Sequence, residues 1–162
     1  MKNFESTDKQ HQPKDDVAIS LGVDRLLCES TDLLQETMST IQDPQVRRAI
    51  NDIVQHREAI HQQLLSTIKS NAERKSNSLQ GAEDSLGDRH CYEQIRRQAA
   101  NLTETELLWE LQKADRTAAG KLREAVKAVS NSRLANRLAS AVARFQMSSD
   151  KLKAVLQSSA RY

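Results

Sequence analysis

Along four stretches of the chain, apolar residues recur at steps of three, four or seven: Val23/Leu27/Leu34/Ile41, Ile50/Ile53/Ile60/Leu64/Ile68, Leu107/Leu111/Ala114/Ala118/Leu122/Ala125 and Leu134/Leu138/Ala141/Phe145/Leu152/Val155. Such steps place each set on one face of an α-helix, with polar residues on the other. A stripe of this kind must bury itself against another. Four stripes of similar length do so best as an all-α four-helix bundle.

Punctuation between the stripes sets the boundaries. Residues 1–14 are polar, with Lys, Gln, Asp and Pro13, and read as a disordered leader; the helical domain is expected over 15–159. The first helix should run from about Asp15 to Gln42. Asp43-Pro44 then supplies an N-cap followed by proline at the first helical position, and the second helix continues to Asn71 or Glu73. Residues 74–88 lose the periodicity and collect Ser, Asn, Gly81 and Gly87. A short helix is expected over 89–100. Thr103 and Glu106 form a capping-box pair that opens the third long helix, which reaches about Val129. Ser130-Asn131-Ser132 stops it and caps a last helix ending near Ser159.

Connection lengths suggest the topology. The first and second long helices, and the third and fourth, are joined tightly and should be antiparallel neighbours. About 30 residues separate the second from the third, whereas about a dozen extended residues cross the roughly 40 Å of a long helix. The second and third would then run parallel, the ferritin-like arrangement with one long crossover. A plain up-down-up-down order would need only a short turn there. Trp109 and Leu102 lie roughly opposite the third stripe. Either the crossover helix, through Ile95 and Tyr92, or a dimer contact would cover them.

Composition narrows the class. The hydrophobic share is 38% and the aromatic share 3%, so the core must be aliphatic and rich in alanine. Four Gly and two Pro are too few for a protein of many tight turns. The net charge is +2, from 24 basic and 22 acidic residues, which gives no electrostatic case for nucleic acid. No run nears the roughly 20 apolar residues that span a bilayer, so no membrane role is expected. Met1 to Asp16 carries no apolar secretory segment, and Cys28 and Cys91 form no pairing pattern. The expectation is a cytoplasmic protein with reduced thiols.

Candidate chemistry lies where polar residues interrupt the stripes. Arg57 falls in the middle of the second apolar face, with His61 beside it and Glu58 on the flank. A guanidinium in a core needs a carboxylate and further hydrogen bonds. Asp115 is the first candidate, then Glu110 or an acid of the first helix; alternatively Arg57 bends outward and buries only its methylenes. Glu58-Ala59-Ile60-His61 matches the Glu-x-x-His element of di-iron bundles, which place two such elements and two further Glu in the core. The fourth helix offers no second element, only Ala141, Phe145 and Ser148 at its inward positions. A single weak metal site using Glu58, His61 and a Glu of the first helix is the remaining possibility. Cys28 and Cys91 read as small apolar fillers. The sequence holds no recognisable nucleophile triad, phosphate loop or Cys/His metal spacing, so no catalytic residue and no cofactor is assigned.

Val23-Asp24-Arg25-Leu26-Leu27, Asp43-Pro44 with Arg47, Arg57 before an apolar helix end, Leu86-Gly87, Glu110, Lys113-Ala114-Asp115 and Leu122-Arg123-Glu124-Ala125 follow in an order that resembles a bacterial ferritin-like family, domain of unknown function 2383. The likeness spans about residues 17–157. It implies a four-helix bundle of ferritin-like topology with no established activity. The wider superfamily binds two metals, and the fourth helix here departs from that ligand pattern. The resulting expectation is a non-catalytic protein acting through protein–protein contact, as a homodimer or with another protein. The alternative is a metal-binding protein or oxidase holding iron or manganese at an incomplete carboxylate/His site. A third reading is an adaptor whose helices open for a partner's amphipathic helix.

Overall fold

The computed structural model describes residues 13–73 and 90–159. The expected leader (apart from Pro13 and Lys14, which open the first helix) and the expected connection over 74–88 lie outside the described residues. All regular structure among them is helical: α1 (Pro13–Met38), α2 (Pro44–Glu73), α3 (His90–Gln98), α4 (Glu104–Lys127) and α5 (Ser132–Ser159), with one 3-10 turn, Ala99–Asn101, after α3. No helix among them is long and apolar enough to cross a membrane.

Local chemistry explains the ends. α1 stops at Met38, short of Gln42, where hydroxyl side chains crowd the last turn. The hydroxyls of Thr37, Ser39 and Thr40 donate to the carbonyls of Leu33, Glu36 and Thr37 at 2.7–2.8 Å, offering the backbone an alternative to the helical ladder. Arg47, from the next helix, donates through Nε to the Ile41 carbonyl at 3.1 Å. α2 opens at Pro44 as the Asp43 carboxylate accepts from the Gln45 N–H at 2.9 Å. α4 carries both halves of its capping box: Glu106 N–H donates to Thr103 Oγ1 at 3.2 Å, and Thr103 N–H to Glu106 Oε2 at 3.1 Å. Asn131 caps α5, accepting from the Leu134 N–H at 3.0 Å.

Between the four long helices, α1 packs on α2 and α4, and α5 packs on α4 and α2. α3 lies against α4 and α1. The apolar stripes meet in this interior: Val23, Leu34, Ile50, Leu111, Ala118, Leu122, Leu138, Phe145 and Leu152 have no exposed surface at all, while Val155 is partly buried. Each fully buried Leu or Ile contributes roughly 1.5–3 kcal/mol relative to exposure. Tyr92 and Ile95 of α3 belong to the same core, and Trp109 and Leu102 are partly buried against it.

Polar contacts fix the helices lengthwise. Near the start of α1, the Asp16 carboxylate accepts from the backbone N–H of Ser130 and Asn131, at 2.9 and 3.0 Å, and from the Ser130 hydroxyl. Just past the far end of α1, Gln42 N–H donates to Glu104 at the start of α4. Arg96 of α3 forms a two-pronged pair with Glu36 of α1 at 3.0 and 3.1 Å. Arg137 and Arg144 of α5 reach Thr67 and Gln63 of α2.

Candidate functional site

Arg57 sits at the middle of α2 on its apolar face, and its side chain has no exposed surface. The guanidinium spreads its donors over three other helices. Nη2 donates to Asp115 Oδ2 of α4 at 2.6 Å, Nε to the Ser148 hydroxyl of α5 at 2.8 Å, and Nη1 to the Ser30 hydroxyl of α1 at 3.2 Å. Its Cζ lies over the Phe145 ring, 4.5 Å from the centroid, a cation–π contact. The second oxygen of Asp115 accepts from the Tyr92 hydroxyl at 2.7 Å, which ties α3 to the same point.

The two serines complete the arrangement. A hydroxyl both accepts and donates. Ser30 accepts from Arg57 and donates to the Leu27 carbonyl at 2.8 Å; Ser148 accepts from Arg57 and donates to the Phe145 carbonyl. One buried cation thus meets one buried anion, with hydrogen bonds to all five helices. Removing two charges from water is costly, and this degree of satisfaction is what makes burial tolerable. Each of the three guanidinium nitrogens is already engaged. Arginine offers no lone pair for a metal.

Of the acids considered for Arg57, Asp115 meets it, whereas Glu110 instead ion-pairs with Lys113 on the surface at 3.2 Å. Glu58 and His61 are not brought together. Glu58 is exposed, with Gln35 Nε2 at 3.4 Å. His61 turns toward α1, where its Nδ1 lies 2.5 Å from Asp24 Oδ1 and 3.2 Å from Cys28 Sγ. Burial raises the Asp24 pKa, against the opposing pull of the hydrogen bond and charge of His61. The Cys28 thiol is pushed up to about 12, first by burial and then by the negative charges of Asp24, Asp32 and Glu29.

A nucleophilic thiol needs the opposite surroundings, a cation or base that favours thiolate. The ring geometry points the same way. In a Cys–His–Asp relay the imidazole uses one nitrogen for the acid and the other for the nucleophile. Here Nδ1 faces both, and Nε2 is 3.9 Å from the sulfur.

Sequence reasoning found His61 and missed Asp24 and Cys28 as its neighbours. A signal was available. Asp24 and Cys28 are one helical turn apart on one face, and His61 lies about as far past the Asp43-Pro44 turn as they lie before it. No protein-family model, no curated protein and no solved structure matches this chain.

Proposed function

We propose that this protein is a four-helix bundle of ferritin-like topology, as in the family it resembles, whose interior is closed by a built-in guanidinium and whose function is exercised at its surface as a homodimer. Support for the topology comes from the lengthwise contacts. The start of α1 meets the end of α4 and its far end meets the start of α4, so these helices are antiparallel. α1 and α2 are antiparallel across the Asp43-Pro44 turn, which makes α2 and α4 parallel. Ferritin-like bundles that oxidise metals point carboxylates and histidines into the centre. Arg57 and Phe145 occupy that place here. A fixed positive charge there favours a structural interior over a dimetal centre.

The observation that carries the contact reading is on α5. Met147, 58% exposed, is the large apolar side chain left exposed among the described residues. Ala143 and Ala139, one and two turns earlier on the same row, are also exposed. These three positions are uncharged, and the exposed Lys151 closes the row one turn later. Small residues let a second helix approach closely, and an i, i+4 row forms the ridge that such crossings use. A two-fold crossing near Ala143 seats Met147 of each copy over Ala139 of the other, an isologous contact. A net charge of +2 opposes it only weakly. The same near-balance of charge supports a role without nucleic acid, and we place the protein in the cytoplasm.

Light scattering coupled to gel filtration tests this reading. The protein is expected to elute as a dimer at micromolar concentration, and Met147→Glu as a monomer of unchanged helicity. A wild-type monomer throughout that range would remove the homodimer.

A further inference from the structure

We propose that Asp24, Cys28 and His61 form a mononuclear divalent-metal site between α1 and α2, built for zinc and separate from the Arg57 cluster. One oxygen, one sulfur and one ring nitrogen converge there, all within 4.8 Å of one another. Asp24 and Cys28 rise from one face of α1 a turn apart, and His61 enters from the antiparallel helix. The site is half-enclosed: the side chains of Asp24 and His61 are 11% and 26% exposed. An ion can therefore enter from solvent while the ligands stay held by the helices.

The hydrogen-bond arithmetic favours an ion over a proton. Nδ1 of His61 has two neighbours that ask opposite things of it, a carboxylate oxygen at 2.5 Å and a thiol at 3.2 Å. If Nδ1 carries a proton, it serves Asp24 and leaves the thiol without an acceptor at that nitrogen. If it carries a lone pair, that pair faces the carboxylate. A metal ion accepts from all three donors at once. Coordination at the usual 2.0–2.3 Å would set the donors about 3.3–3.6 Å apart in a tetrahedron, which asks the His61–Asp24 pair, now at 2.5 Å, to open and leaves the His61–Cys28 pair, at 3.2 Å, nearly in place.

Charge and donor type choose the metal. Thiolate plus carboxylate balances a divalent ion, and Glu29 and Asp32 add negative field around Cys28. Arg57 lies one turn before His61, but its charge is met by Asp115. A mixed S, N, O set suits zinc, whereas magnesium and calcium want oxygen alone. Three protein ligands leave the fourth position to water, an open coordination site. On binding, the Cys28 S–H bond breaks and its proton leaves to solvent, so the bound form holds thiolate without any oxidant.

The test uses the full chain, stripped with chelator and titrated with cobalt(II), then zinc. One equivalent of cobalt is expected to give the strong visible bands of a four-coordinate complex and a near-ultraviolet thiolate-to-cobalt charge-transfer band, both bleached by zinc. Cys28→Ser and His61→Gln should each abolish the charge-transfer band or weaken zinc binding by at least the roughly 10–100-fold that loss of even an outer partner costs. Cys91→Ser should leave both unchanged. Circular dichroism of each variant separates ligand loss from unfolding, and Asp24→Asn supplies a third ligand test if either variant fails to fold. Absence of the band in the wild type, or its survival at full zinc affinity in any folded ligand variant, would overturn the site.

Discussion

At the scale of single residues, the buried ion pair dominates. Asp115→Ala leaves the Arg57 guanidinium uncompensated among Phe145, Ser30 and Ser148, and should destabilise the protein by about 3–5 kcal/mol in urea unfolding. Replacing both partners by apolar residues of similar volume, as in Arg57→Met with Asp115→Leu, should recover most of that loss. If the double variant were as unstable as the single one, the penalty would belong to packing and not to the stranded charge. A second residue contributes to acid sensitivity. Burial, followed by the charges of Arg144 and Lys151, lowers the His56 pKa below its ordinary 6.5. The unfolded chain therefore binds this proton first as pH falls. The His56 contribution is full above the ordinary histidine value and drains away as pH drops through the lowered folded one. Urea midpoints measured from neutrality to about pH 5 should fall less steeply in His56→Gln than in the wild type. Equal slopes would refute the assignment.

At the scale of elements, the ends of α4 are held by two different devices. Thr103→Ala removes one arm of the capping box and should cost about 0.5–2 kcal/mol. Asp16→Ala removes the carboxylate that gathers the Ser130 and Asn131 N–H groups, charge-assisted bonds whose loss should cost about 1.5–3 kcal/mol. Lying at opposite ends of the helix with no shared partner, the two should add within about 0.5 kcal/mol in the double variant. The caps at Asp43, Thr103 and Asn131 were legible because each is a contact between residues two or three apart. The end of α1 was less so. Apolar spacing carries on to Ile41, yet the hydroxyls of Thr37, Ser39 and Thr40 compete for the last carbonyls. Ile41 remains buried outside the helix. Periodicity recorded its burial and overstated the helix.

For the whole molecule, the proposed dimer and the proposed metal site would each couple to folding by mass action. A dimer makes the melting temperature rise with protein concentration, and that dependence should vanish in Met147→Glu. Zinc should raise the melting temperature of the wild type and leave Cys28→Ser unmoved. These two effects should be independent, since Met147 lies on α5 and the ligands on α1 and α2.

The sequence by itself determined where the helices lie and which face of each is apolar, because periodicity and caps depend on neighbours a few residues apart. It also announced that Arg57 needs company, since a guanidinium on an apolar stripe has no stable isolated state. Spacing put Asp115 first among several acids, and tertiary structure decided between them. The register of α4 against α2 brings up Asp115 and leaves Glu110 at the surface, and the register of α1 against α2 sets Asp24 and Cys28 beside His61. A shift of one helical turn would exchange those partners while leaving every stripe intact, so the choice rests on side-chain packing between segments that are distant along the chain.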